Sequence, residues 1–377
     1  MQKIMQLFIV LLLILPVKNV SAKPRIAWIA PMTADASGAA DYSSANEFWS
    51  LTSKFMIASV EDLDIELKIY CYGRNRFKMV DAVKQIASGK DGKFDAVLFY
   101  NFHNVGVKTI KILDQVKIPA FTFVTNFSQH PEMGNPREKY KYWIGQMIPD
   151  DQHAGELLAT KLIEAYQNQK GHLPTQIVAL GGEYAHTSDI DRRNGLENAL
   201  KNYPQLKLNQ YIHAFWKRQT ANNQYPIIRQ RYPETKIFWA ANDAMALGIY
   251  ERINQEKLMP GKDIIFGGID WLGEAIDLVR QGKMNVSVGG HFLQGAFSLV
   301  LLHDYALGKD FAEENGVTFE MKMYYLTRTN IKEFENLASK MTLENIREKI
   351  DFRKYSRVHN PEVKKYPFSI KELLKQL

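Results

Sequence analysis

The run Phe238-Trp239-Ala240-Ala241-Asn242-Asp243 ends an apolar stretch on two short polar side chains. Asn242 can donate and accept at once, whereas Asp243 suits the capping of free N–H groups at a helix start. Asp243 is therefore expected to cap, which leaves Asn242 to read a hydroxyl. Asp270 repeats the arrangement after Gly267-Gly268-Ile269, with Trp271 beside it. A carboxylate there can accept from two neighbouring hydroxyls, and charge-assisted bonds are roughly twice as strong as neutral ones. His291 follows Gly289-Gly290 and can present either protonation state near neutrality, although a lone histidine is more often structural.

Two arginines and several rings complete the set. Arg192 and Arg193 follow the Gly181-Gly182 turn in a segment that also carries Asp189 and Asp191. Adjacent helical residues diverge by roughly 100°, so one guanidinium is expected in a cleft and the other in a weak surface ion pair. Trp216 and Arg218 directly follow an apolar run. The Trp216 indole suits a sugar or ring face, since it offers area at low entropy cost; a core position is the equal alternative. Phe48-Trp49 puts two rings on different helical directions, one expected inward and one toward a cleft.

Binding rather than turnover is the chemistry this set suits. The first apolar run is not followed by Gly-x-Gly-x-x-Gly, and there is no His-Glu-x-x-His, phosphate-binding lysine loop or nucleophile elbow. Asp189, Asp191 and Asp270 could form acid–base pairs, but accepting hydrogen bonds from a ligand needs fewer coincidences. Cys71 is the single cysteine, which excludes an intrachain disulfide and any cysteine-rich metal site. No enzyme activity, cofactor or metal is expected.

The elements that position these residues alternate. Apolar runs at 25–30, 65–70, 94–99, 120–124, 175–180, 208–214, 236–240 and 263–269 read as short strands. Amphipathic stretches starting near Asn46 and at 79–86, 154–166, 191–200, 224–232, 245–254 and 294–305 read as helices. Short buried strands between helices of this length predict an α/β fold with parallel sheets covered on both faces. In such sheets ligands collect beyond the carboxyl ends of the strands, where all the residues above fall.

Lys3, an apolar run over 7–17 and Val20-Ser21-Ala22 have the form of a secretory leader cleaved after Ala22, too short to span a bilayer of ~20 apolar residues. No cysteine follows for lipid attachment. Of 377 residues, 46% are hydrophobic and 24% charged, which suits a globular protein rather than a disordered one. The net charge of +7 falls to +5 without Lys3 and Lys18, weak evidence for nucleic acid. With a leader and no leading helix-turn-helix, DNA is not expected as a partner.

Together these residues resemble the type I periplasmic binding proteins, especially the ribose, galactose and autoinducer-binding branch. The likeness rests on the stretch 237–248, on Phe266-Gly267-Gly268-Ile269-Asp270, on Phe48-Trp49, on Arg192 with Gly195, and on Trp216 with Arg218. It implies two Rossmann-like lobes with central parallel sheets and a three-crossing hinge, the crossings falling near 127–142, 288–291 and 326–329. The lobes would be 23–127 plus 290–328 and 128–289, after a leader at 1–22 and before an extension at 329–377. Phe48, Trp49, Asn126, Arg192, Trp216, Arg218, Asn242, Asp270 and His291 would touch the ligand. Thr125-Asn126 stands where ribose binders show an aspartate and an arginine, and Gly290 where many carry a glutamine, which argues against a simple pentose or hexose. The implied role is periplasmic capture of a small, polar, sugar-like solute by a soluble monomer serving an inner-membrane ABC permease. Docking on a membrane sensor kinase or cyclase is the rival, raised by the basic and aromatic residues over 347–375.

Overall fold

The computed structural model describes residues 23–37, 39–42, 46–334, 341–374 and 376, so the expected leader lies outside the described residues. The chain opens with β1 (Arg25–Ala30), a short hairpin of β2 (Thr33–Ala34) and β3 (Ala40–Asp41), and α1 (Glu47–Asp62). Next come β4 (Glu66–Cys71), α2 (Arg76–Ala87), β5 (Ala96–Phe99), α3 (Val105–Gln115), β6 (Ala120–Phe123) and β7 (Trp143–Pro149). After them follow α4 (Asp151–Lys170), β8 (Gln176–Gly181), α5 (Thr187–Lys201), β9 (Lys207–His213), α6 (Arg218–Arg231) and β10 (Ile237–Ala240). The series continues with α7 (Asp243–Gln255), β11 (Ile265–Ile269), α8 (Gly273–Arg280), β12 (Val286–Gly289) and α9 (Gln294–Ala306), and closes on β13 (Thr318–Met321) and β14 (Tyr324–Leu326).

These strands make two lobes. One sheet runs β13-β7-β6-β5-β1-β4, with every neighbour parallel; the other runs β14-β12-β11-β10-β8-β9, parallel except at β14. Interior strands such as β5 and β10 are buried at every residue, as sheets covered on both faces require. In each sheet the order reverses beside one strand, β1 in the first and β8 in the second, and the crevice this leaves opens at the carboxyl ends. Among the described residues no helix is long and apolar enough to cross a membrane.

The chain passes between lobes at 149–151, 289–291 and 321–324, so the first and third passages lie away from the expected 127–142 and 326–329. The correction comes from β7, which pairs with β6 and β13 in the first sheet rather than opening the second lobe. The loop before it carries Pro131 and Pro136 and reads like a linker, but the lobe ends at Pro149, where the Asp150 carboxylate caps α4 by accepting from the His153 N–H at 3.1 Å. Residues 128–149 therefore belong to the first lobe's fold.

In the second lobe α4 and α5 pack backbone against backbone. A Cβ on Gly155 would stand 2.0 Å from the Arg192 carbonyl oxygen, and one on Gly195 would stand 1.9 Å from that of Gln152. Gly195→Ala is thus expected to force the helices apart and shift Arg192. A loss of about 1–3 kcal/mol in denaturant unfolding is the expected result, and an unchanged midpoint would contradict this packing.

Residues 341–374 fold back onto the first lobe. Ile346, Ile350, Phe352, Tyr355, Ile370 and Leu373 are buried, and the Phe368 ring stacks on Phe297 of α9 at 4.5 Å. Asp304 of α9 is fully buried and accepts from Ser356 Oγ at 2.5 Å, the Arg357 N–H at 2.5 Å and Tyr366 Oη at 2.9 Å. Its own lobe adds His303 Nδ1 at 2.8 Å.

Candidate functional site

A cleft of about 530 Å³, counting the part open to solvent, lies between the lobes at the strand ends. The first lobe contributes Asn46, Phe48 and Trp49 from the start of α1, Arg74 after β4, Tyr100 after β5 and Val124 after β6. From the second come His186, Ser188 and Arg192 after β8, Trp216 after β9, Asn242 after β10 and Asp270 after β11, with His291 on the passage after β12. Several of these sit at helix N-termini, whose unpaired N–H groups suit polar ligands.

Arg192 anchors the floor. Nε donates to Asp151 at 2.7 Å, Nη1 to the Ala241 carbonyl at 2.6 Å, and Nη2 lies 3.3 Å from Nε2 of His291. Its charge is thereby matched by a buried carboxylate, while Arg193 pairs with Glu197 at the surface. Burial, with the nearby Arg192 adding, holds the His291 ring down to about 3, so it is neutral. His186 is likewise pushed down to about 3 by burial and then by Arg74 and Arg192. Nδ1 of each ring has no hydrogen-bond partner among the described residues.

Asp270 is buried, and its carboxylate lies 3.8 Å from Arg192 and 3.5 Å from His291. Those separations leave acceptor capacity for hydroxyl donors. Burial pushes its pKa up to about 7, with Arg192 opposing and Asp151 and Glu47 adding. The aromatic walls are built from Phe48, stacked on His291 at 4.8 Å, Trp49 at 5.0 Å from Tyr100, and Trp216 under the Arg192 guanidinium at 5.7 Å. Trp216 reaches this position because Gly182 leaves room: a Cβ there would fall 1.9 Å from the indole. Val124, Trp216 and Asp270 all hold left-handed or otherwise positive φ, at 69°, 62° and 143°. Such backbone costs roughly 1–3 kcal/mol per residue and clusters at functional sites.

Seven of the nine expected residues line the cleft: Phe48, Trp49, Arg192, Trp216, Asn242, Asp270 and His291. Both rings of the Phe48-Trp49 pair face it, rather than one. Asn126 does not line it; its Nδ2 donates to Asp191 across the lobes at 2.8 Å and it borders a separate acidic hollow. Arg218 is also outside. It opens α6, and its guanidinium turns to Glu251 at 2.7 Å and Glu274 at 2.5 Å, because Trp216 before it takes the inward direction. The capping role expected of Asp243 falls to Asn242. Asn242 caps α7 by accepting from the Met245 N–H at 2.9 Å, keeping its Nδ2 for the cleft side, where the Trp216 carbonyl is 3.4 Å away. Fully buried Asp243 instead accepts from the Leu272 N–H at 3.0 Å and Ser287 Oγ at 2.8 Å, bracing the loop that carries Asp270. Asn46, Arg74, Tyr100, Val124, His186 and Ser188 are not among the expected ligand contacts; Val124 ends a strand read from the sequence, and Arg74 and Tyr100 closely follow two others, so listing strand-end residues finds these three.

Residues 41–310 match a family model described as a periplasmic binding protein domain. The galactofuranose-binding protein YtfQ of Escherichia coli (strain K12) is 24% identical over 272 residues, 71% of this chain and 80% of that protein. A periplasmic sugar-binding protein from Pseudomonas fluorescens shares the fold with a TM-score of 0.79 and 26% identity, over 93% of this chain and 99% of that one. An ABC transporter solute-binding protein from Actinobacillus succinogenes 130z, solved with D-allose, shares it at 0.67 and 19% identity, over 82% and 100%.

Proposed function

Starting from the chain's membership of the periplasmic binding protein domain family, we propose that it is a periplasmic substrate-binding protein that captures a small neutral sugar for an ABC transporter. The observation that carries this reading is the cleft itself, where rings from both lobes face an uncommitted buried carboxylate, Asp270. Sugar rings present apolar faces to indole and phenyl groups while their rim hydroxyls donate to carboxylate and accept from amide N–H. The galactofuranose and D-allose proteins among its relatives support the same ligand class.

Closure would follow from contacts made in one geometry only. A ligand shifts an open–closed equilibrium by its differential affinity for the two forms, and here both lobes supply contacts. The closed form then presents a joint surface to the permease, and the sugar leaves unchanged. The feature that raised docking on a sensor is used differently: Phe352, Tyr355 and Tyr366 are buried against the first lobe.

The test is a thermal-shift and calorimetric screen with D-allose, D-galactose, L-arabinose and D-ribose, beside amino acids and sugar phosphates. A neutral sugar should raise the melting temperature and bind with a dissociation constant of about 10 µM or below, which at saturating ligand adds a few kcal/mol. Recovery of the sugar unaltered after incubation is also expected. Stabilisation by amino acids or anions alone would sink the proposal.

A further inference from the structure

Outside the cleft lining, one carboxylate of the second lobe meets two basic side chains of the first. Glu183, in the loop after β8, pairs with the Arg74 guanidinium, and His103 Nε2 lies 3.2 Å from its other oxygen. The Glu183 side chain is only 14% exposed, so the bridge is partly shielded from water. Phe102 packs under both partners, with Arg74 5.6 Å over its ring and the His103 ring edge-on at 4.2 Å. Arg74 and His103 both adopt left-handed backbone, with φ of 56° and 44°, an arrangement that non-glycine residues take at a cost. Arg74 also forms part of the cleft wall, so the bridge stands at the cavity's edge.

We propose that Arg74, His103 and Glu183 form an interlobe latch, a set of positioning residues that hold the clamp shut and set how slowly a bound sugar escapes. This rests on the reading of the two lobes as a clamp. Single exposed ion pairs contribute little, but open and closed forms of such clamps differ by only a few kcal/mol, so the partly shielded Arg74–Glu183 pair, with His103 packed against the other carboxylate oxygen, is enough to move the balance. The latch is made only when the lobes meet, and its loss should therefore act on dissociation rather than on association.

Glu183→Gln is the informative variant, because Glu183 is not among the residues that line the cleft. Spin labels at Lys84 and Asn194, both exposed and one in each lobe, report the interlobe distance in a Cys71→Ser background. In ligand-free protein, Glu183→Gln should shift the open-to-closed ratio toward open by about three- to tenfold. Glu183→Asp, which keeps the charge, should move it less. For D-allose, or whichever sugar of the screen binds, stopped-flow release should quicken by a similar factor with the association rate nearly unchanged. Distance distributions that coincide for the wild type and Glu183→Gln overturn the latch. Failure of every sugar to bind the wild type counts against sugar capture instead, and leaves the ligand-free comparison standing.

Discussion

Asp270→Ala is expected to weaken sugar binding by roughly 30-fold to several thousand-fold, about 2–5 kcal/mol, measured by calorimetry. The size follows from the site. The carboxylate is buried, the neutral His291 ring and the Arg192 guanidinium stand 3.5 and 3.8 Å away, and it can accept from two hydroxyls at once. Asp270→Asn should fall between, since the amide keeps one acceptor and loses the charge. The same group predicts a pH dependence. In the empty cleft burial raises its pKa to about 7, above the ~3.9 of an unfolded chain. The folded protein therefore holds this proton more tightly, and the group stabilises the fold increasingly as pH falls from about 7 toward about 4. Hydroxyl donors favour the carboxylate, so sugar affinity should rise with pH through that region and binding should release protons. Calorimetry in buffers of different ionisation enthalpy reads the release directly; affinity that stays flat from about pH 5.5 to about pH 8 would contradict the role of Asp270.

Removing residues 341–377 should have the second large effect, on stability. Asp304 would lose its hydrogen bonds from Ser356, Arg357 and Tyr366 together. Each hydrogen bond lost contributes about 0.5–1.5 kcal/mol. Seven buried aliphatic and aromatic side chains among the described residues would leave with the segment, each worth about 1.5–3 kcal/mol when fully buried, and Phe297 would be uncovered. The shortened chain should lose its cooperative transition or melt at least ~10 °C lower. A milder variant, Tyr366→Phe, deletes only one hydroxyl from Asp304 and should lower the melting temperature by about 3–10 °C. Were the shortened chain to melt with the intact one, the extension would be a surface ornament.

The alternation of strands and helices was legible because buried parallel strands are short, apolar and periodic, and because Asn-Asp and Gly-Gly-Ile-Asp mark strand ends. The cleft residues found from sequence are those whose type stands out against an apolar run: Trp216, Asn242, Asp270 and Arg192. Arg218 has the same signature, but local pattern cannot register which of two nearby side chains turns inward, and Trp216 took that place through Gly182. The shift of the capping role from Asp243 to Asn242 has a similar origin. Either can cap a helix, and only the presence of Ser287 and the Leu272 N–H, far along the chain, fixes Asp243 below. The stretch that forms β7 is not among the strands read from the sequence and falls in the range expected for the second lobe, because its partners, β6 and β13, are settled by pairing over long sequence distances.

The balance of charge around Arg192 bears on what this protein rejects. Asp151 already neutralises that guanidinium, Glu183 engages Arg74, and both imidazoles are uncharged. A uronic acid or a phosphorylated sugar would thus bring its negative charge next to Asp270 with no free counter-ion among the described residues to meet it, and would surrender its hydration for nothing in return. Selectivity for uncharged solutes is in this way inherent in how the floor of the cavity is wired.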